Sequence, residues 1–210
     1  MTQLSRECII HAAADILQTY GLQDLSIRKV ASQLGVQPGA LYWHVANKQE
    51  LLAVLAHRMV APLAADRAVH DDAIPRAVRS AGHDGAGPGH SDDGRTEPGH
   101  LDPARVAAEF RRLILAVRDG AEVVGVAHAL DPLDLPPVPL LVAALSATGL
   151  TQRTAENTAL TLVRFTLGSV TAQQTREAMG LPTTDSAPRF EAGLALILGR
   201  EAAPLERFDP

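Results

Sequence analysis

Apolar residues in this chain recur at three- and four-residue steps, and nowhere do they alternate as a half-buried strand requires. That periodicity limits the fold more than any other feature. Ile9, Ala12, Ala13, Ile16, Leu17 and Tyr20 form one apolar face, and Gly21 stands where a glycine ends a helix. Ser26 caps a second helix with Ile27, Val30, Ala31 and Leu34 inward, and Gly35 stops it. Pro38 suits the first turn of a third helix, because its missing N–H would be unpaired there anyway. That helix is short, Pro38 to His44. Asn47 and Glu50 read as a capping box opening a fourth helix, with Leu51, Leu52, Leu55 and Met59 on one side and Pro62 near its end. Further on, Asp102 and Pro103 open a helix carrying Val106, Phe110, Leu113, Ile114 and Val117. Pro132, Pro136, Pro137 and Pro139 mark a loop before a helix over 140–148 that Gly149 ends. Thr151 caps a long helix to about Met179 with Leu160, Val163, Leu167 and Val170 inward; Pro182 to Pro188 breaks the pattern. A last helix holds Phe190, Leu194, Ile197 and Leu198. The predicted fold class is all-α, and an apolar complement dominated by Ala, Leu and Val with only 3% aromatics agrees with it.

A chain of 210 residues makes one ordinary domain or two small ones, and 46% hydrophobic content supplies a core. One cysteine, Cys8, excludes an intrachain disulfide framework and a cysteine zinc cage; it reads as core rather than nucleophile. No run approaches the ~20 apolar residues a membrane span needs. Met1 to Glu7 lacks a basic stretch followed by an apolar one, so a soluble cytoplasmic protein without a membrane partner is expected. The net charge of −5 is uneven: Arg6, Arg28, Lys29, Lys48 and Arg58 face Glu7, Asp15, Asp24 and Glu50 in residues 1–60, and the rest is acidic. Such a balance argues against general coating of nucleic acid but allows a small DNA-reading module on an acidic body. Residues 81–100 hold six glycines, two prolines and His83, His90 and His100 without apolar periodicity. They read as a flexible, solvated insertion, since the histidine spacing matches no compact metal motif.

Residues 26–44 give helix, tight turn at Gly35 and short helix, the helix-turn-helix order in which the second helix enters the major groove. Tyr42, Trp43 and His44 put three polar-tipped rings in a row, with the only Trp of the chain among them. One could be a core anchor, but consecutive residues point in different directions, so all three cannot be.

Leu25 to Ala31, Leu34-Gly35-Val36, Leu41-Tyr42-Trp43-His44-Val45, Asn47-Lys48 and Leu51-Leu52 resemble the TetR family of bacterial repressors. The Tyr-Trp-His-Val-x-Asn-Lys run is closer to the tetracycline repressor branch than to the family at large. Arg118-Asp119-Gly120-Ala121, Phe165 to Val170, Thr183 to Ser186 and Gly193-Leu194 are similar to that branch's effector domain. The resemblance implies an N-terminal three-helix DNA-binding domain, residues 1–46, and a helical effector-binding and dimerisation domain, residues 47–210. It also implies a homodimer on a palindromic double-stranded DNA operator, its recognition helices about one DNA turn, ~34–36 Å, or a multiple apart. The long helix after Thr151 and the last helix are the expected dimer bundle, through Leu160, Val163, Leu167, Val170, Leu194, Ile197 and Leu198.

Carried over position by position, the resemblance implies that Arg28 reads a base, where a guanidinium suits guanine O6 and N7, beside Ser26 and Ile27 in the contacting set. Gln37 opens the recognition helix, and Pro38, Gly39 and Ala40 offer apolar contact and close backbone approach. Tyr42, His44 and Lys48 match phosphate contacts, and Trp43 a residue that both packs and touches the operator. The branch grips a magnesium–drug chelate, and here the chain departs from it. Val124 stands at the metal-ligating His, Ala172 at an acid holding the metal's water shell, and Val106 at the drug-bonding Asn; Phe110 keeps the aromatic wall. Valine and alanine cannot ligate a hard cation, so the expectation is a small organic effector in an apolar pocket without metal or other cofactor. His128 is a candidate polar handle, with a surface or loop-satisfied histidine as the alternative. A DNA-binding regulator with no effector remains a second reading. An enzyme does not fit: no nucleophile elbow, HExxH, Walker A or GxGxxG is present.

Overall fold

In the computed structural model the structure describes residues 4–64 and 101–201. Those residues form an all-α fold with no strand among them: α1 Arg6–Tyr20, α2 Ile27–Leu34, α3 Pro38–Leu41, α4 Lys48–Val60, α5 Pro103–Leu115, α6 Gly120–Leu130, α7 Pro137–Ala147, α8 Gln152–Ala178 and α9 Ser186–Ile197. The predicted insertion at 81–100 lies outside the described residues.

The predicted helix starts are made by the side chains that pointed to them. Ser26 accepts from the Lys29 N–H at 3.2 Å, Asn47 from Glu50 at 2.8 Å, Asp102 from Ala104 at 3.0 Å and Thr151 from Thr154 at 3.3 Å. Glu50 reaches back to the Ala46 N–H at 2.7 Å, completing the capping box. Gly21 and Gly35 end α1 and α2 with positive φ.

Four elements differ from expectation. The last helix begins at Ser186, inside the break expected from Pro182 to Pro188, with Pro188 taken into its first turn. The third helix stops at Leu41, because the Leu41 carbonyl accepts from both His44 and Val45, tightening the chain into a turn that swings Val45 into the core. The seventh begins at Pro137 rather than Leu140, the proline taking the first-turn position. And α6 has no counterpart among the predicted helices.

α1 to α3 pack as a head around Ile9, Ile16, Leu25, Val30 and Leu41. α4 joins it to the body, packing on α1 at one end and along α6. α8, about 40 Å long at 1.5 Å per residue, is the body's axis, with α5, α6, α7 and α9 against it. A second joint lies at the α5–α6 corner. Asp119 Oδ2 accepts from the Leu22 N–H at 2.8 Å, Arg118 donates to the Thr19 carbonyl at 3.3 Å, and Gln174 of α8 donates to the Val117 carbonyl at 2.9 Å. Asp119 is the one non-glycine residue with positive φ, 55°, among those described. Gly120 beside it is obligatory, since a Cβ there would lie 2.1 Å from the Ile114 carbonyl oxygen.

Candidate nucleic-acid interface and effector core

The head leaves a polar and aromatic end uncovered. α2 buries Ile27, Val30 and Ala31 and turns Arg28 outward, where no hydrogen bond or ion pair holds it among the described residues. Gln37, the residue before α3, makes no capping bond and is exposed. Pro38 and Ala40 are half-buried; Gly39 is exposed, and a Cβ there would meet nothing within 4 Å. Trp43 is 89% exposed and Tyr42 56%, so neither is a core anchor, and the packing role expected for Trp43 is absent among the described residues. Removing that much aromatic surface from water is favourable, at about 25 cal/mol per Å² of apolar area, so leaving it exposed needs a partner to make sense. His44 is half-buried. Lys48 donates to the Leu22 carbonyl at 3.4 Å. Ser26, half-buried, accepts from the Lys29 N–H as the cap of α2 and keeps its hydroxyl hydrogen to donate, and Ile27 is buried. Lys29 is held at the head's surface, 2.9 Å from Asp24 and 3.9 Å above the Tyr20 ring.

In the body, Val106, Phe110 and Val124 belong to one buried cluster. Phe110 and Val124, the residues that the resemblance sets at the aromatic wall and the metal-ligating position, have no exposure at all and belong to the core. His128 is buried on the same helix as Val124, one turn on, so among the described residues it is not a surface side chain. Both its ring nitrogens are buried without a hydrogen-bond partner among the described residues. Burial, with a smaller push from the Arg164 charge, lowers its pKa and keeps it neutral. A neutral imidazole offers one donor and one acceptor, and each left unmade in a buried site costs about 1–3 kcal/mol.

Ala172 is not brought to this cluster. It is exposed on α8 and lines an outer cleft with Phe165, Gln173 and Phe190. No group of three or more His, Cys, Asp or Glu side chains that could hold a metal ion occurs among the described residues. None of their helices is long and apolar enough to cross a membrane.

The tetR family of bacterial regulatory proteins is matched over residues 9–55, and the tetracyclin repressor-like C-terminal domain over residues 102–180. Tetracycline repressor class A from transposon 1721 of Escherichia coli is 34% identical over 177 residues, 83% of this chain and 69% of that protein. The chain belongs to the TetR family. It is a DNA-binding regulator of the tetracycline repressor type, as the matches at both ends require. Among solved structures, BioQ with its natural double-stranded DNA operator superposes with a TM-score of 0.65 at 28% identity, covering 94% of this chain and 97% of that one. A single-substitution TetR from Acinetobacter baumannii AYE in complex with minocycline gives 0.68 at 28% identity, covering 94% and 96%. The TetR-family fold thus accounts for the separation of a small head from a larger helical body.

Proposed function

We propose that this protein is a cytoplasmic transcriptional repressor that binds a palindromic operator as a homodimer and leaves it on binding a small organic effector other than magnesium–tetracycline. Residues 1–46 are the reading head and 47–210 the body. The observation that carries the DNA reading is the exposed end of the head, where Arg28, Gln37, Tyr42 and Trp43 stand free. Arg28 and Gln37 read bases, and Tyr42, His44 and Lys48 meet phosphates. Trp43 makes its contact with the operator rather than with the protein. At Gly39 the chain's own packing leaves open space, which suits close approach to a phosphate backbone.

The effector reading rests on the body's core. Val106 and Val124 supply hydrocarbon, Phe110 a ring, and His128 two unmade hydrogen bonds. A metal chelate gains nothing from valine, whereas an apolar molecule gains about 0.8 kcal/mol per buried methylene.

The dimer reading needs a revised face. Val163 and Val170 are fully buried in the chain's own core, and Leu160 and Leu167 are half-buried, so these four are not a free surface. Among the residues that α8 leaves exposed, Thr161, Arg164, Gly168, Thr171 and Thr175 share one face. Leu196 of α9 is 72% exposed and Met179 68%. Small residues on α8 flanked by uncovered Leu and Met suit a second copy.

A gel shift with an operator selected from random sequence tests the reading. Magnesium–tetracycline leaves the complex intact, Arg28→Ala relaxes sequence discrimination and Lys48→Ala weakens all sequences alike. Release at low micromolar drug, abolished by a chelator, would overturn the effector part; unchanged discrimination in Arg28→Ala would overturn the head assignment.

A further inference from the structure

The turn from Leu41 to Lys48 joins α3 to α4 and carries Tyr42, Trp43 and His44. Leu41 and Val45 anchor it in the core, but Tyr42, Trp43 and Ala46 are exposed, so packing does not hold the whole of it. The Leu41 carbonyl accepts from the N–H groups of His44 and Val45, each at 2.9 Å. The next donor, the Ala46 N–H, goes to a side chain: Glu50 Oε2 accepts it at 2.7 Å.

The other oxygen of that carboxylate, Glu50 Oε1, accepts from Arg6 Nη2 at 3.2 Å. Arg6 opens α1 one turn before Ile9 and Ile10, both buried in the head, so its backbone is a fixed point. The Glu50 N–H is held by Asn47 Oδ1 at 2.8 Å, which sets the first turn of α4. One carboxylate thus ties the far end of the turn to both α1 and α4. Arg6 also offsets its charge, which would otherwise oppose a phosphate brought to the turn.

We propose that Glu50 is a positioning residue for operator binding. Through the Ala46 N–H it holds the turn, and with it Tyr42, Trp43 and His44, in the conformation that meets the DNA. Glu50 itself touches no DNA. A turn ordered before contact loses less freedom on binding, and that saving is the source of the affinity. The inference rests on the reading of these side chains as operator contacts.

Trp43 is the one tryptophan of the chain and stands on this turn in solvent, so its fluorescence reports the turn directly. Two measurements on the full chain test the proposal: affinity for the operator selected from random sequence, and anisotropy of Trp43 emission in the free protein. Glu50→Ala weakens operator binding about tenfold, the loss of one charge-assisted hydrogen bond, and lowers the anisotropy. Glu50→Gln, whose amide oxygen still accepts the Ala46 N–H, recovers most of both. Ala13→Gly loosens the middle of α1 and lowers the thermal midpoint of the head, yet leaves operator affinity within about threefold of the parent. Unchanged binding or unchanged anisotropy in Glu50→Ala overturns the proposal, as does the absence of recovery in Glu50→Gln. A loss of affinity in Ala13→Gly as large as in Glu50→Ala also overturns it, because general stability would then explain the effect. If Trp43→Ala and Lys48→Ala bind the operator like the parent, the reading of the head fails and this inference with it. If those two weaken binding and Glu50→Ala does not, this inference alone fails.

Discussion

Asp119 ties the body to the head, and its replacement separates two costs that the structure superimposes. Its carboxylate accepts the Leu22 N–H at 2.8 Å, and Leu22 is buried, so without the acceptor a backbone donor is left unpaired. A hydrogen bond to a charged acceptor contributes about 1.5–3 kcal/mol. The Asp119 backbone also has φ 55° and ψ 23°, where an ordinary L residue is disfavoured by about 1–2 kcal/mol while Asn, Asp and Gly are tolerated. Asp119→Asn keeps an acceptor and the conformation, and should lose less than about 1 kcal/mol, since the neutral bond is weaker. Asp119→Gly keeps the conformation and loses the bond, about 1.5–3 kcal/mol. Asp119→Ala loses both, and should fall about 1–2 kcal/mol below the glycine variant. Urea unfolding followed by far-UV dichroism gives the order Asn, Gly, Ala at a common slope. Equal stability of the alanine and glycine variants would refute the strain argument, and equal stability of glycine and asparagine the hydrogen-bond argument. Operator affinity should follow the same order, because the bond fixes the head on the body.

Trp43→Ala removes a side chain that is 89% exposed, so the thermal midpoint should move by less than a degree or two (about 0.5 kcal/mol) while operator affinity falls at least tenfold; a large loss of stability would show that the ring packs. Leu196→Glu should shift the sedimentation equilibrium from dimer to monomer without loss of helicity, and an unchanged dimer would remove α9 from the interface. Burial alone would raise the Asp102 pKa, but the Arg200 hydrogen bond, the Ala104 N–H and the charges of Arg200 and Arg105 outweigh it and lower it below 3.8. A carboxylate lowered by folding contributes stability above its unfolded pKa and loses it as the pH falls through the folded one. Arg200→Gln should therefore cost up to about 1 kcal/mol at pH 7, Arg200 being half exposed, and the gap should close as the pH falls through the lowered Asp102 pKa. A pH-independent difference in unfolding midpoints would contradict that origin.

The elements legible in the sequence are those whose ends carry their own chemistry. Ser26, Asn47, Asp102 and Thr151 announce helix starts because each hydroxyl, amide or carboxylate meets an N–H two or three residues on, a contact that needs no tertiary partner. α6 announces nothing. Gly-Ala-Glu-Val-Val-Gly-Val-Ala-His-Ala-Leu has two glycines, no polar face and no capping bond, since its start is a left-handed Asp119 held by another part of the chain. A helix that is apolar on most sides is specified by what surrounds it, here α4, α5 and α8, and periodicity cannot see that.

The same distinction explains what was hidden at the two candidate sites. On the head, the outward direction of Arg28 follows from helical phase with Ile27, Val30 and Ala31, all buried, so a sequence reading reaches it. Trp43 lies past the end of α3, where Leu41 alone sets the turn, and only the folded chain shows the ring to be unsupported. In the body, Leu160, Val163, Leu167 and Val170 share one apolar stripe, but periodicity does not say whether a stripe meets its own chain or another. α5 to α7 already cover two of the four completely. His128 and Ala172 divide for the same reason. His128 lies one turn past Val124 and is carried into the core by the burial of α6, whereas Ala172 sits on the side of α8 that no inner helix covers. On the proposed reading, an effector against Val106, Phe110, Val124 and His128 would meet α5 and α6, the two helices whose corner holds Leu22 of the head. Ligand contact on that reading and head placement would then meet at Asp119, one residue before α6 begins.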